Sequence, residues 1–543
     1  MLTYDVILCC IFMAAVLFLF FTIKWDVAKY NNKWRLLYLL PTLICIVHAL
    51  AFGTEFCLSG IYIGALIMLG GYLMLTVSVR KSCSVFAALL CIFTIPVCLF
   101  SNNYRTADYL ADFENGFTLM KEHYSLSEHK NVDWDSLYEK YVPLFEQVQN
   151  KQDENANIST WLQFCNEFYD SHTGYFPLND SEETRKAVAE AVVGNDYGLS
   201  MVQLSSGEYA AVLVEENSQA ANAGIYTGTT ITKWDGKMIS DLLPAANERM
   251  KKCILVGNKE NEAFYESLFV PGLGDEQVQV SFLDDNGEEK EVTLSSLGSY
   301  YQRFKEAYDI LLYKTPRENM SVVQLNTDTV LLNVNMMVSD SESMENVNYG
   351  ALQSGIRQQL ITYKETGASN LIIDLRNNSG GSSMMARAIV SLLAEGEIFW
   401  AADGAYNEQT GSYETIKSYT CMGENLWDDG KIIVLVNSGS NSAANHLIAG
   451  MKRLENVTVM GISEPAGTAQ GVGDIVLEHG IFSFSKTLVL NENEEIWVDS
   501  DESGHCRLLV DEKIKLNKDV IKRMFKDKED FVLEYAIERF RDE

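Results

Sequence analysis

The pattern of apolar and polar positions divides the chain into a strongly apolar beginning and a longer mixed remainder. Four almost uncharged apolar runs come first, at residues 4–23, 35–52, 57–79 and 84–100. Each run has close to the roughly 20 residues that an α-helix needs to cross a bilayer. One cleaved signal peptide would not account for four such runs in succession. The pattern therefore predicts four N-terminal transmembrane helices within residues 1–103.

The pattern after residue 103 changes twice. Residues 104–190 have apolar positions at helical spacing, which predicts a helical cap. Residues 191–298 consist of short strand-like runs with turn signals such as Asp235-Gly236 and Asn286-Gly287. From residue 299 to 543, continuous apolar strands alternate with amphipathic helices, which is typical of an α/β core. We therefore predict a multi-domain chain with a helical cap, a β-rich domain and an α/β core after the membrane region.

The basic residues between the apolar runs predict the orientation. The first loop carries Lys24, Lys29, Lys33 and Arg35, and the third carries Arg80 and Lys81, whereas the second has Glu55 and no base. Because cytoplasmic loops are enriched in Lys and Arg, this predicts that everything after residue 101 lies outside the cytoplasm. We therefore expect a multi-pass protein of the cell membrane whose catalytic region lies outside the cytoplasm.

Charge and cysteine usage narrow the possible functions. The formal net charge is −31, which argues against nucleic acid as a partner. Seven of the eleven cysteines fall in or beside the apolar runs, and the other four, Cys165, Cys253, Cys421 and Cys506, lack CxxC spacing. This is neither a dense disulfide framework nor a zinc site, although one disulfide among the four is open. We expect no metal and no other cofactor.

The stretch from Lys431 to Gly471 is where chemistry is most expected. A buried strand, Ile432 to Val436, runs into a small polar turn, and a helix should begin near Ser442. Ser442 has two interpretations: an N-cap whose hydroxyl accepts from the first helical turn, or a nucleophile on a strand-to-helix turn. His446 lies one helical turn later and is an alternative general base.

A second turn has a matching form. The strand Leu371 to Leu375 runs into Arg376-Asn377-Asn378-Ser379-Gly380-Gly381, whose paired glycines allow close backbone approach. Together the two turns resemble the C-terminal-processing and tricorn-like serine peptidase family, also called tail-specific proteases. The resemblance implies a crotonase-like α/β fold, with Ser442 as nucleophile. It also implies an oxyanion hole formed by the amide of Ala443 and that of Gly380 or Gly381.

The general base is where the chain departs from the processing branch of this family. That branch has a lysine about two dozen residues after the nucleophile, but Gly461 to Gly471 contains none. The tricorn-like branch uses a histidine from the domain before the core, and the motif Asp170 to Tyr175, DSHTGY, resembles its histidine motif. The resemblance therefore implies His172 as general base. The third member of the triad, the acid, is predicted to be Asp499, with Asp501 as substitute. The family usually has a glutamate at this position. The alternative is that both aspartates belong to a solvent-exposed acidic turn.

The β-rich domain resembles a PDZ domain with an insertion around residues 244–272. PDZ domains bind an extended peptide as an added strand and hold its C-terminal carboxylate on backbone amides. The corresponding loop here is Tyr197-Gly198-Leu199-Ser200, which the resemblance implies as peptide-binding.

Taken together, the motifs predict a membrane-anchored, extracytoplasmic serine peptidase that cleaves peptides or proteins by acyl transfer. The alternative is a catalytically inactive relative that acts as a PDZ-type peptide-binding or regulatory membrane protein. The identity of the substrate and the oligomeric state do not follow from the sequence.

Overall fold

The structure, a computed structural model, describes residues 107–313, 318–337 and 349–542. The longest helix in these ranges has 18 residues, Trp134–Lys151, and carries several charged side chains. No helix in these ranges is long and apolar enough to cross a membrane. The four predicted membrane spans lie outside the described residues. The predicted fold class is corrected accordingly: the four N-terminal transmembrane helices and the membrane embedding are not supported. The described residues form an α/β fold with three sheets, in which parallel and antiparallel pairings are mixed.

The helical cap consists of three helices that each begin at an aspartate. They are α1 (Tyr109–His123), α2 (Trp134–Lys151) and α3 (Glu154–Cys165), and Asp108, Asp133 and Asp153 accept hydrogen bonds from their first turns. Their apolar faces meet in an aromatic cluster around Phe113, which is fully buried. After a 3-10 turn, strand β1 (Gly174–Pro177) leaves the cap and pairs with a strand of the core. The cap is therefore fixed to the core directly after the DSHTGY motif.

The β-rich part of the chain forms one sheet of six strands. Its strands are β2 (Ser200–Gln203), β3 (Tyr209–Val212), β4 (Thr230–Trp234), β5 (Lys237–Met238), β6 (Gln277–Leu283) and β7 (Glu289–Ser295), in the order β2-β3-β4-β6-β7 with β5 on β4. The helices are α4 (Glu182–Val193), α5 (Gln219–Asn222), α6 (Ile239–Met250) and α7 (Lys259–Tyr265), and a 3-10 helix spans Glu266–Phe269. The hairpins predicted at Asp235-Gly236 and Asn286-Gly287 are both present.

The core is built on a second six-stranded sheet, in the order β17-β14-β13-β10-β9-β8. Its strands are β8 (Met320–Gln324), β9 (Thr329–Val334), β10 (Asn370–Asp374), β13 (Lys431–Leu435), β14 (Val457–Gly461) and β17 (Glu512–Lys513). Neighbouring strands are parallel except β8 and β9. The helices are α8 (Tyr301–Leu311), α9 (Tyr349–Glu365), α10 (Ser383–Leu393) and α11 (Ala443–Met451).

A third sheet joins the cap to the core. Its strands β11 (Glu395–Asn407), β12 (Ser412–Glu424), β15 (Gly471–Val476) and β16 (Gly480–Leu490) are antiparallel, and β1 of the cap pairs with β16. Strands β11 and β12 form a long hairpin between the glycine turn and the serine turn.

The C-terminal segment, an amphipathic helical stretch in sequence, is interrupted in the structure. It forms two helices, α12 (Lys518–Phe525) and α13 (Phe531–Asp542). Lys528 between them has a φ of +58°, a conformation that an α-helix cannot contain. The break places Asp530 against the guanidinium of Arg376, which is fully buried and also paired with Asp374. The need to neutralise this buried cation explains the interruption.

The parallel pairing of β10 with β13 places the two predicted turns side by side. Asn370 pairs with Lys431 and Asp374 with Leu435, so both strands end at the same level. Carboxyl ends of parallel strands lie on one edge of a sheet, where ligands usually bind. The glycine turn and the serine turn therefore meet at this edge.

Candidate active site

Ser442 has a strained backbone at the start of α11. Its φ is +55° and its ψ is −122°, which a residue other than glycine rarely adopts and which costs on the order of 1–3 kcal/mol. Its side chain makes no capping hydrogen bond to the helix. Its amide is held instead, because it donates to the carbonyl of Thr468 over 3.0 Å. The N-cap interaction is therefore absent among the described residues, and Ser442 lies in a strained turn between a strand and a helix.

The other two serines of this turn are engaged in the structure. The Ser440 hydroxyl is fully buried, donates to the Leu375 carbonyl over 2.8 Å and accepts from the amide of Asn437 over 3.1 Å. The Ser438 hydroxyl is hydrogen-bonded to the hydroxyl of Tyr265. Ser442 has no such partner among the described residues, so its hydroxyl is the one of the three that is free to react.

The glycine turn is hydrogen-bonded to the serine turn at several points. The amide of Asn377 donates to Asn437 Oδ1 over 2.9 Å, and the amide of Asn441 donates to the carbonyl of Asn378 over 2.8 Å. Asn378 Oδ1 in turn accepts from the amide of Gly380 over 2.8 Å. These bonds fix the two turns as one unit.

The same bonds distinguish the candidate oxyanion donors. The amide of Gly380 is engaged with Asn378, whereas the amides of Gly381 and Ala443 have no acceptor within the part of the chain that the structure describes. An oxyanion hole needs donors that are not already used. The arrangement therefore favours Gly381 over Gly380 as the donor opposite Ala443.

The close approach of Gly380 to Ser442 nevertheless leaves no room for a side chain at position 380. A Cβ atom at Gly380 would lie 2.5 Å from Ser442 Cβ and 3.0 Å from the amide nitrogen of Ala443, and the φ of Gly380 is +100°. Any side chain at this position would displace the nucleophile or the oxyanion donor.

We expect Gly380→Ala to lower kcat/KM by about 100-fold or more, since displacements near 1 Å at a reacting group cost about that much. Gly207→Ala is the matched control, because its φ of +87° imposes the same backbone strain while no atom lies within 4 Å of the added Cβ. Peptide-cleavage kinetics of the two variants would measure the difference. Equal losses in both would show that backbone strain, and not the contact with Ser442, is what matters.

His172 lies where the cap meets the serine turn. It is 8% exposed, and neither ring nitrogen has a hydrogen-bond partner among the described residues. The preceding residue, Ser171, donates from its hydroxyl to Asn441 Oδ1 over 2.8 Å, and its amide contacts Thr468 Oγ1 at 3.2 Å. Asn441 directly precedes Ser442 and Thr468 holds the Ser442 amide, so the histidine segment is fixed against the nucleophile segment.

Burial determines the proton affinity of His172. Removal from water lowers its pKa below the usual value near 6.5, and the nearby carboxylate of Asp170 opposes this. Asp170 accepts the His172 amide on Oδ1 over 2.9 Å and the Tyr124 hydroxyl on Oδ2 over 3.1 Å. The imidazole is therefore neutral at neutral pH, as a general base must be.

His446, the alternative base, is packed into the core. Its Nε2 contacts the Ala469 carbonyl at 2.8 Å, and its ring stacks on Trp497 with 4.7 Å between the ring centroids. Burial lowers its pKa to about 4. A histidine with so low a pKa is a weak base, and these contacts hold its ring in place.

The two acidic candidates differ sharply in environment. Asp499 is fully buried and its Oδ1 lies 2.6 Å from Lys130 Nζ, while its Oδ2 has no hydrogen-bond partner among the described residues. Burial raises the pKa of Asp499 to about 7, and Lys130 opposes the rise. Asp501 instead caps a turn by accepting from the amides of Ser503 and His505. The surface acidic turn thus describes Asp501 and not Asp499.

Comparison with protein families decides the class of this site. The model of peptidase family S41 matches residues 335–489, which contain both turns and Ser442. Residues 335–489 are therefore similar to family S41 peptidases. The prediction of a serine-type peptidase is thereby confirmed, and peptidases act on peptide or protein substrates. The model of the tricorn protease C1 domain matches residues 105–156, within the helical cap.

Solved structures show distant similarity over most of the chain. Mature CPAF complexed with lactacystin is 13% identical, with 79% of this chain and 97% of that chain covered and a TM-score of 0.45. The photosystem II D1 C-terminal processing protease is 14% identical, with 76% and 94% covered and a TM-score of 0.33. The tricorn protease is 12% identical, with 80% and 37% covered and a TM-score of 0.34. A comparison with curated protein sequences gave no match.

Three residues near the two turns or the acidic candidates were not assigned a role from the sequence. Asp170 and Ser171 belong to the DSHTGY motif, so their position beside His172 was a usable signal. Lys130 lies in the connection after α1, far from Asp499 in sequence, and nothing in the local pattern indicated that its ammonium contacts that carboxylate. The structure does not join Ser442, His172 and Asp499 by hydrogen bonds within the described residues. Such bonds often form only when substrate is present.

The predicted peptide-binding loop is buried against its own domain. Tyr197 and Ser200 are almost completely buried, and their hydroxyls bond the Asp275 carbonyl and the Tyr300 hydroxyl. The amide of Gly198 donates to Asp196 Oδ1 over 2.9 Å, and Leu199 is fully buried. Peptide binding by Tyr197 to Ser200 stays a prediction, and it would require these internal contacts to open.

A cavity of about 190 Å³ lies beside the glycine turn and the serine turn. It is lined by residues of the cap, the β-rich part and the core: Ser171, Leu255, Val256, Gly257, Asn261, Tyr265, Tyr308, Leu312, Ser379, Ser438, Gly439, Asn441 and Ala466. Ser379 precedes Gly380 and Asn441 precedes Ser442, so the cavity lies next to both turns. None of the described residues that line it is charged.

Proposed function

We propose that this protein is a serine peptidase that cleaves polypeptides by acyl transfer, with Ser442 as nucleophile and His172 as general base. The observation that carries the proposal is the strained Ser442, whose hydroxyl is free while its own amide is fixed at the start of α11. The buried, unpaired imidazole of His172, tied to the same turn through Ser171 and Asn441, supports it.

The proposed reaction has two stages. A ring nitrogen of His172 takes the proton of Ser442 Oγ while the oxygen attacks the peptide carbonyl carbon. The amides of Ala443 and Gly381 hold the oxyanion, and the dipole of α11 favours negative charge there. His172 then protonates the leaving amine as the C–N bond breaks. In the second stage His172 takes a proton from water as the water oxygen attacks the acyl carbon. It then returns that proton to Ser442 Oγ as the ester bond breaks and the carboxylic acid product leaves.

Asp499 is the proposed acid of the triad. Its unpaired Oδ2 is available to an imidazole N–H, which would fix the tautomer of His172 and stabilise the imidazolium. Asp170 is held by the His172 amide and by the Tyr124 and Thr173 hydroxyls, so its oxygens are already used.

The uncharged cavity beside the turns supports a preference for substrates with a small uncharged side chain next to the scissile bond. At about 190 Å³ it is smaller than typical small-molecule sites of about 300–1,000 Å³ and suits one side chain. In a peptide series that varies one position, we expect Ala, Ser or Val to exceed Asp or Lys by about tenfold or more in kcat/KM, because a buried unpaired charge is costly. Cleavage mapping by mass spectrometry measures this. Equal rates for charged and uncharged residues would show that the cavity does not select.

The experiment that tests the proposed function is incubation of the full chain with an unstructured polypeptide. The account predicts paired fragments whose masses add up to the substrate plus one water, and no fragments with Ser442→Ala. Binding of peptides without cleavage would instead support the alternative of an inactive peptide-binding relative. The predicted extracytoplasmic location stays a prediction.

A further inference from the structure

Lys130 makes an unusual set of contacts for a lysine of the helical cap. Its side chain is 5% exposed, and its Nζ lies 2.6 Å from Asp499 Oδ1, 2.6 Å from Ser500 Oγ and 3.1 Å from the Ser500 carbonyl. The Tyr169 carbonyl is a further acceptor at 3.4 Å. An ammonium has three protons to donate, so these acceptors satisfy it completely. Lysine is rarely buried without such pairing, which indicates a specific role.

The contacts of Lys130 join the two segments that carry His172 and Asp499. Ser500 follows Asp499, and Tyr169 lies three residues before His172. Ser500 Oγ donates to the Tyr169 carbonyl over 2.6 Å, so Lys130 and Ser500 together bond the end of the cap to the loop that carries the acid. Without Lys130, the distance between His172 and Asp499 would be less tightly fixed.

The contact with Lys130 also leaves one oxygen of Asp499 able to accept a hydrogen bond from an imidazole N–H. Asp499 Oδ1 accepts from Lys130 and from the Ser500 amide at 2.9 Å, while Oδ2 has no partner among the described residues. A carboxylate held on one oxygen has a fixed orientation and one free oxygen. The positive charge of the ammonium also offsets the free-energy cost of ionising the Asp499 carboxyl away from water.

On these grounds we propose that Lys130 is a positioning residue, which keeps Asp499 ionised and oriented for His172. The inference rests on the proposed function, because it gives Lys130 a role only through the triad. Lys130 does not contact substrate in this account.

Several other titratable groups surround the pair, and of these Asp170 favours the protonated form of Asp499. Asp170, Tyr124 and Cys506 face Asp499, and His129 faces Lys130. Asp170 is a second carboxylate, so without Lys130 the two acids would disfavour each other's charge. Loss of the ammonium should thus raise the pH at which Asp499 ionises.

The test is the pH profile of kcat/KM for Lys130→Met and Lys130→Gln in the full chain. We expect the acid limb to move up by at least about one pH unit in both, with roughly tenfold lower kcat/KM on that limb and partial recovery at alkaline pH. Lys130→Arg should keep the limb near that of the wild type. Lys121→Met, an exposed cap lysine paired with the exposed Asp135, is the control with an unchanged profile.

A merely structural role would lower activity equally at every pH, and Lys130→Gln, which keeps donors, would then behave like the wild type. Either result would overturn the proposal. If Lys130→Met does not fold, as judged by circular dichroism, Lys130→Gln and Lys130→Arg still separate charge from packing.

A double variant separates this proposal from the proposed function. If Lys130 acts through Asp499, adding Lys130→Met to Asp499→Asn should change kcat/KM by less than about twofold. A full further loss would overturn the role of Lys130 while leaving the triad intact. Full activity of Ser442→Ala or Asp499→Asn alone would instead reject the catalytic assignment.

Discussion

Ser442→Ala is expected to lower kcat by a factor of about 10⁴ or more while the free energy of unfolding stays within about 1 kcal/mol of the wild type. The hydroxyl bonds no described residue, so its removal breaks no structural contact, whereas the covalent pathway loses its nucleophile. The measurement is peptide-cleavage kinetics together with chemical denaturation.

Ser440→Ala is the matched comparison from the same turn. Its hydroxyl makes two buried hydrogen bonds, to Leu375 and from Asn437, so its loss should destabilise the protein by about 1–3 kcal/mol. Turnover by the folded fraction should be retained in part. A fully active Ser442→Ala beside an inactive, well-folded Ser440→Ala would reverse the assignment of the nucleophile.

His172→Ala is expected to lower kcat by several powers of ten with little change in peptide affinity, because a general base acts in the transition state. His123→Ala, an exposed histidine of the same cap, should leave kcat unchanged. If His446→Ala removed activity while His172→Ala did not, the base would lie on α11.

The pH dependence separates the two titrating groups. Protonation of Asp499, whose pKa is about 7, should begin the fall in kcat/KM as the pH drops, and protonation of His172 should continue it below 6.5. In Asp499→Asn, the remaining activity should fall only below about pH 6.5, since burial lowers the pKa of His172. An acid limb near pH 7 in that variant would contradict the assignment of Asp499.

Much of the core was predictable because both its strands and its helices have strong periodic signals. The apolar runs at 371–375 and 432–436 became β10 and β13, and their parallel pairing follows from the βαβ pattern. The helix that precedes β10 spans Tyr349–Glu365, in agreement with the predicted alternation of strands and helices. That the two turns share one edge of the sheet became evident from the register of this pairing in the structure.

The local role of Ser442 could not be decided in this way. N-cap and nucleophile have the same sequence signature, a serine before an apolar helix, and only the positive φ and the free hydroxyl distinguish them. The choice of Gly381 over Gly380 as the second oxyanion donor likewise depends on the hydrogen bond from the Gly380 amide to Asn378, and the sequence pattern gives no indication of that bond. Such features arise from tertiary contacts between segments distant in the chain.

Long-range ion pairs were the least predictable part of the site. Lys130 meets Asp499, and Arg376 meets Asp530, across connections that no local pattern encodes. The break between α12 and α13 at Lys528 has the same origin, because the position of Asp530 is fixed by its cation and not by helix propensity. Buried charges of this kind need a partner, yet the sequence does not say which one.

The most direct test of the central claim is to find which residue a fluorophosphonate modifies in the full chain. The account predicts one covalent adduct, on Ser442, located by tryptic mass spectrometry, with no adduct in Ser442→Ala and strongly slowed formation in His172→Ala. An adduct on Ser438 or Ser440, or labelling that persists in Ser442→Ala, would contradict it.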